Sequence, residues 1–418
     1  MILQKRELHF KDFDAQSFVK VNKLLNLEIK EEYKEELKEL YSLEENREQV
    51  LKIGNAKSLI DALLDLDNAC LKIDIESKIR NIQLKRLFEK EKAIFEIFEI
   101  DNELINSRTH SDILEVETAY SAKHDILEYY SLSKFANYCR DLDYEDLVDS
   151  IKNYLKVKNE SNEDECSLRI LYHNEQEKYY LRAITSKDGY KDYGINFSVL
   201  IALIALNKYV EDNSEEIFIN TFVVDDSTTY ISFQLNNSIT LNSNLSLRFS
   251  LILENDEIKR NAVSFNGMFT LTFKDNNRES EIFLKPKGMK SDENSFVSDL
   301  LTYRHSGGID NVVEKIEKLP ELIKEYIGQV AEDAKKIIEI QNPNDVKKLI
   351  ANKVKYSKKP EFKIYKDQIF NKLMGNNVDN IFALFELLRN VEDLFEHTDV
   401  ISKDFWRTKI YESLTEKK

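Results

Sequence analysis

The chain has 418 residues, of which 42% are hydrophobic and 33% charged, and its formal net charge is −16 at pH 7. The apolar content excludes a largely disordered chain, and the acidic balance excludes a uniformly basic nucleic-acid-binding protein. The acidic excess lies in the first two thirds, because acids and bases balance in residues 281–418. Contact with phosphate is therefore expected only in the last third.

Cysteine content and hydropathy predict a cytoplasmic protein with no membrane partner. The three cysteines (Cys70, Cys139 and Cys166) are too few and too scattered for a disulfide framework. Residues 1–10 already contain charged side chains, unlike a secretory signal. The longest apolar run, 199–206, is too short to span a bilayer.

Residues 1–165 are predicted to form a helical domain, either a bundle or an extended arm. Up to residue 188 the chain contains one glycine, Gly54, and no proline, so little there would end a helix. Apolar residues between 56 and 105 recur at steps typical of one helix face. They are Leu59, Leu63, Leu66, Cys70, Ile75, Ile79 and Ile82.

Residues 166–290 are predicted to form an antiparallel sheet domain with a crossing helix at 197–210. Apolar and polar residues alternate in three segments, 230–235, 245–253 and 263–273. Such alternation indicates strands with one face on the core and one face in solvent. The residues predicted on the solvent face are Ser232, Gln234, Ser246, Arg248, Ser250, Asn266 and Thr270.

Residues 291–418 are predicted to form a helical region that packs on the sheet domain. Pro320 fits the first turn of a helix, and the sequence Asn-Pro-Asn-Asp at 342–345 is typical of a turn followed by a helix cap. Apolar residues from Val378 to Phe395 recur at helical spacing. The predicted fold class is α+β.

A lysine-rich segment, 347–366, is the leading candidate for binding. It contains eight lysines and one acidic residue, with aromatic residues between them. Lysines neutralise phosphates, and aromatic rings stack on unpaired bases. The alternative is an ordinary solvated helix face. The predicted nucleic-acid-binding residues are Lys347, Lys348, Lys353, Lys355, Tyr356, Lys358, Lys359, Lys363 and Lys366.

A short loop before the C-terminal helices is a second candidate. Arg304 and His305 precede the glycine pair Gly307 and Gly308, and this combination can hold an anion. Two adjacent glycines also occur in simple turns, which is the alternative.

Acidic residues on the central strands favour an enzymatic alternative. Acids followed by Glu-x-Lys on neighbouring strands can hold Mg²⁺ in nucleases. The same residues also fit polar strand ends. The residues concerned are Asp225, Asp226, Glu254, Asp256, Glu257 and Lys259. The chain has no glycine-rich nucleotide-binding motif and no closely spaced His or Cys pair, so neither a cofactor nor a bound metal is expected.

Several segments together resemble a phage/plasmid-like protein family of unknown function that is carried on mobile elements. The segments are 180–186 with Tyr190, 254–258, 264–267, 304–307 and 380–397. Where that family has a Cys-Thr-Asn-Gly-like step, this chain keeps only Asn266 and Gly267. The resemblance covers about residues 167–400 and implies an origin on a mobile element.

The sequence thus predicts a non-enzymatic phage- or plasmid-type binding protein. Its expected partner is single-stranded nucleic acid, or a host or phage protein. Two alternatives stay open: a metal-dependent nuclease-like enzyme, and a self-assembling or inhibitory protein that docks through the acidic helical domain. A homo-oligomer is compatible with each of these interpretations.

Overall fold

The computed structural model describes residues 5–88, 92–109, 111–187, 191, 193–258, 262–275, 278–286, 290–292, 295–296, 300–305, 308–358, 362–395 and 400–416. Helices and antiparallel sheets alternate along the chain, which confirms the predicted α+β class. Among these residues, no helix has the length and apolar character needed to cross a bilayer.

The strands are β1 (Lys5–His9), β2 (Val19–Lys20), β3 (Val50–Leu51), β4 (Ile53–Gly54), β5 (Cys70–Lys78), β6 (Ile82–Phe88), β7 (Lys92–Phe98), β8 (Ile113–Thr118), β9 (Glu165–His173), β10 (Lys178–Ser186), β11 (Ile217–Asp225), β12 (Thr228–Leu235), β13 (Ile239–Asn242), β14 (Leu245–Asp256), β15 (Val263–Asp275), β16 (Arg278–Leu284), β17 (Lys290–Asp292), β18 (Ser295–Phe296) and β19 (Leu301–Tyr303). The helices are α1 (Val21–Leu24), α2 (Glu31–Leu40), α3 (Ala56–Ala69), α4 (Glu103–Arg108), α5 (Ala122–Glu128), α6 (Ser133–Asp141), α7 (Glu145–Asn159), α8 (Ile195–Asn213), α9 (Ile309–Glu317), α10 (Leu319–Ile338), α11 (Pro343–Lys355), α12 (Lys366–Met374), α13 (Ile381–Glu392) and α14 (Val400–Leu414).

A six-stranded sheet with the order β5-β9-β10-β8-β7-β6 replaces much of the predicted N-terminal helical domain. The prediction that residues 70–105 continue a helix is wrong. In β5, Ile73 and Ile75 are both buried, which is the two-residue period of a strand, and β-branched residues favour that conformation. The sheet also pairs β5 with β9, so the predicted boundary at residue 165 falls inside it.

A nine-stranded sheet forms the centre of the chain, with β1-β11-β12-β14-β15-β16 as its main path. The predicted alternation is confirmed, because odd-numbered residues such as Ile231, Leu251 and Phe265 are buried in the largest core, together with α8. Helix α8 is buried on nearly every side, as expected of a crossing helix.

The expectation of a solvated polar face on this sheet is wrong. Ser232 and Ser250 are each 1% exposed, and Thr270 is 5% exposed. Part of this face lies under α14, where Arg407 Nη1 is 3.1 Å from the sulfur of Met268. The C-terminal helices therefore reach the sheet's second face, which a strand pattern cannot indicate on its own.

The close approach of α10 to the central sheet depends on a glycine in β15. A Cβ atom at Gly267 would lie 1.7 Å from Cε1 of Tyr326, a residue of α10 that is 1% exposed. Only a glycine leaves room for that ring. This contact sets how closely α10 packs on the sheet.

Candidate nucleic-acid interface

The lysine-rich segment forms one side of an open groove, which we call the lysine groove. Its volume is about 600 Å³, and it lies between the end of α11 and one face of α14. The lining residues are Lys353, Tyr356, Ser357, Lys358, Phe405, Lys409 and Glu412. The groove thus joins two segments that are about fifty residues apart in the sequence.

Tyr356 is the most exposed large apolar or aromatic side chain among the described residues, at 73%. It follows α11 directly, where the helix ends and the chain turns. The ammonium group of Lys355 lies 5.9 Å from the centre of the Tyr356 ring and 5.2 Å from that of Phe370. An exposed ring beside a lysine is a suitable stacking surface for an unpaired base that carries a phosphate.

The lysines of the groove differ in how fully they are neutralised. Lys353 pairs with Glu416 and Lys409 with Glu412, each at 2.7 Å. Lys358 is exposed and has no ion-pair partner among the described residues. Lys355 and Lys358 therefore carry most of the positive charge available to a ligand.

The other predicted lysines have different environments. Lys347 is 5% exposed and donates to the carbonyl of Asn376, and burial, with the neighbouring Lys348, lowers the pKa of its ammonium group. Lys366 donates to the carbonyl of Ser357 at 3.0 Å, an intramolecular bond that holds the loop after α11.

Two remaining lysines are open to solvent. Lys348 lies 3.9 Å from Asp345, and Lys363 is exposed. Lys359 lies outside the described residues. Lys347 and Lys366 thus stabilise the fold locally, whereas the exposed lysines can reach a ligand.

The predicted anion loop is divided between the surface and the core. Arg304 is exposed, whereas His305 is 6% exposed and stacks against Tyr193, with ring centres 6.2 Å apart. The Nδ1 atom of His305 lies 3.2 Å from the carbonyl oxygen of Lys191. Gly308 caps α9, and Gly307 lies outside the described residues. His305 therefore has a packing role.

The carboxylates considered for a nuclease site are hydrogen-bonded within the protein, and all except Glu254 are buried. Asp225 is 4% exposed and accepts bonds from the backbone N–H groups of Ser227 and Thr228, so it shapes the turn between β11 and β12. Asp226 accepts from the hydroxyl of Tyr120 at 2.8 Å. Burial raises the pKa of Asp225.

Two further carboxylates of that site, Glu254 and Asp256, belong to separate contacts. Glu254 accepts from Asn266 at 3.0 Å, and Asp256 accepts from the backbone of Ile258 at 2.8 Å. Lys259 lies outside the described residues. Among the described residues no group of three or more His, Cys, Asp or Glu side chains is placed to hold a metal ion.

Glu257 is at the centre of a buried ionic network that joins the two large sheets. It is 1% exposed and accepts from Lys72 Nζ at 2.8 Å, Arg182 Nη1 at 2.9 Å and the backbone of Ile195 at 2.8 Å. Burial alone would raise the pKa of Glu257, but the two cations and the hydrogen bonds outweigh it and lower the pKa to about 2. The carboxylate is thus ionised at neutral pH, and protein groups already occupy its oxygens.

The cations of this network come from the six-stranded sheet. Arg182, on β10, is fully buried and also donates to the carbonyl of Asp226 at 2.7 Å. Arg169, on β9, donates to the backbone carbonyl of Glu257. This network holds the sheets together and leaves these carboxylates without the open ligand positions that metal-assisted hydrolysis needs.

The sequence analysis missed the α14 half of the lysine groove. Phe405, Lys409 and Glu412 recur at steps of four and three residues, so they lie on one helix face. That spacing was the available signal, but nothing in the sequence indicates that this face lies beside α11. No protein-family model, curated protein or solved structure matches this chain.

Proposed function

We propose that this protein is a non-enzymatic, phage- or plasmid-type cytoplasmic protein that binds single-stranded nucleic acid in the lysine groove. The observation that carries the proposal is the exposed ring of Tyr356, flanked by the lysines 355 and 358 and open to a groove of about 600 Å³. These are the two elements of sequence-tolerant single-strand binding: stacking surfaces and phosphate-neutralising charges.

A single strand fits this surface better than a duplex. Stacking on Tyr356 requires an unpaired base, and a duplex would hide its base faces. The basic surface is also local, because the whole chain carries a net charge of −16. A flexible strand can bend to follow so local a surface, whereas a rigid duplex cannot.

The test is a fluorescence-anisotropy titration of the full chain with a labelled single-stranded oligonucleotide over a range of salt concentrations. If about three lysines contact phosphate, the logarithm of the association constant should fall with the logarithm of salt at a slope of roughly −2. Tyr356→Ala should weaken binding by about 1–3 kcal/mol, which is about 5- to 150-fold. Tyr356→Phe keeps the ring and should bind like the wild type.

A matched charge control separates groove contacts from the effect of net charge. Lys358→Glu should weaken binding and reduce the slope, whereas Lys336→Glu should change little, because Lys336 is an exposed residue of α10 outside the groove. If Lys358→Glu and Lys336→Glu weakened binding equally, binding would depend on the overall charge of the protein and not on the groove. Absence of binding at about 50 mM salt would refute the proposal outright.

A further inference from the structure

Exposed apolar side chains are concentrated on two small helices. Among the described residues, sixteen large apolar or aromatic side chains are exposed, and eight of them lie between Tyr129 and Val157. Helix α7 buries only Ile151, Leu155 and Asn159, so most of its circumference faces outward. Single exposed apolar residues are normal on a protein surface, but a concentration of this kind marks an interaction site.

We call this surface the acidic aromatic face and define it by the exposed residues of α6, α7 and their connection. These are Phe135, Tyr138, Leu142, Tyr144, Leu147 and Tyr154, each 40–56% exposed, and Val157, 67% exposed. The rings of Tyr138 and Tyr144 are 6.4 Å apart, which links the stripe on α6 to the start of α7. At about 200 Å² for each ring, the four aromatic residues leave roughly 400 Å² exposed, a size typical of functional patches.

The stretch between the two helices favours a cationic occupant. Residues 141–149 contain five acids and no base, and all five acids are exposed, with Asp141 paired to Arg140. The other bases of the two helices, lysines 134, 152, 156 and 158, lie outside this stretch. The acidic stretch attracts a basic protein surface that offers an apolar anchor.

The lysine groove of another copy provides such a surface. It presents Lys355 and Lys358 around Tyr356, whose ring is 73% exposed. We infer that the acidic aromatic face of one molecule docks into the lysine groove of a second copy. Tyr356 would pack among the rings of the face, while the lysines meet the acids of 141–149.

This interface is heterologous, because it joins two different surfaces of the same chain. After the first contact one molecule keeps a free groove and the other keeps a free face, so association continues into a ring or a filament. Because the complementary charges lie at the surface, added salt weakens the assembly. Oligonucleotide in the groove, if the proposed function holds, displaces the neighbouring molecule.

Sedimentation velocity of the purified full chain tests the inference. The wild type should form species larger than a dimer as its concentration rises towards about 100 μM at low salt, and it should dissociate at about 0.5 M salt. Two variants each remove one surface: Tyr138→Ser with Leu147→Ser on the face, and Lys355→Glu with Lys358→Glu on the groove. Each should stay monomeric alone with an unchanged circular dichroism spectrum.

The decisive sample is an equimolar mixture of the two variants. Each supplies the surface that the other lacks, so the mixture should form one-to-one dimers and nothing larger. A monomeric wild type, a groove variant that still assembles, or a mixture that stays monomeric would each overturn the inference. The face variant should still bind oligonucleotide like the wild type, which keeps a failure here distinct from a failure of the proposed function.

Discussion

Replacing Glu257 by glutamine is expected to destabilise the protein strongly, because it removes one charge from a buried network. The substitution preserves the size of the side chain but leaves Arg182 buried at 0% exposure without its ionised partner. Breaking one side of a buried ion pair costs about 3–5 kcal/mol. The lowered pKa of Glu257 agrees in sign, because it means that the folded protein stabilises the ionised carboxylate.

The pH dependence of this contribution has a definite sign. Because the pKa of Glu257 is lower in the folded state, its stabilisation is fully present above about pH 4.5 and is lost as the pH falls through about 2. The difference in unfolding free energy between the wild type and Glu257→Gln should therefore shrink over that interval. Above pH 5 the titration of Glu257 should no longer change that difference in unfolding free energy.

Chemical denaturation followed by circular dichroism measures both effects. Glu163→Gln is the matched control, because Glu163 is an exposed residue with two ion pairs, to Lys78 and Arg80, and its loss should leave the unfolding midpoint unchanged. If Glu257→Gln resembles this control, or if its deficit is the same at pH 3 as at pH 7, the network does not hold the two sheets together.

Two other sites give sharp predictions. Gly267→Ala should destabilise the fold by about 1–3 kcal/mol, because the new methyl group would collide with the ring of Tyr326. Gly328→Ala is the control: Gly328 lies in α10, the helix that carries Tyr326, and has open space around it, so this alanine should be neutral or stabilising by up to about 1 kcal/mol. Thermal melts in which Gly267→Ala is as stable as Gly328→Ala would contradict the packing described. Tyr120→Phe removes the hydroxyl that donates to Asp226 and should cost about 1.5 kcal/mol in chemical denaturation, and an unaltered midpoint would show that this bond contributes nothing.

The sequence predicted the central strands well because their pattern is local. In β12, β14 and β15 apolar residues recur at nearly every second position, and only a strand buries such a set on one face. The N-terminal strands were missed because the steps from Ile75 to Ile79 and Ile82 match a helix by chance, across the end of β5, a short turn and the start of β6.

The contacts that decide the sites are not local. Lys72 and Glu257 are 185 residues apart, so no spacing rule could pair them, and the acids of the proposed nuclease site were identified without their buried cations. The lysine groove was half predicted, since Lys355, Tyr356 and Lys358 lie within four residues of each other, while its second wall on α14 depends on tertiary packing. A lysine count also cannot distinguish the buried Lys347 from its exposed neighbours.

Photocrosslinking of a single-stranded oligonucleotide that contains 5-bromouracil, followed by peptide mapping, tests the site of binding most directly. Stacking on an aromatic ring favours crosslinking to that residue, so the account predicts attachment to the peptide that carries Tyr356, and loss of that product in Tyr356→Ala. Attachment to α6 or α7 instead, or equal yields in the wild type and Tyr356→Ala, would contradict the assignment of the lysine groove.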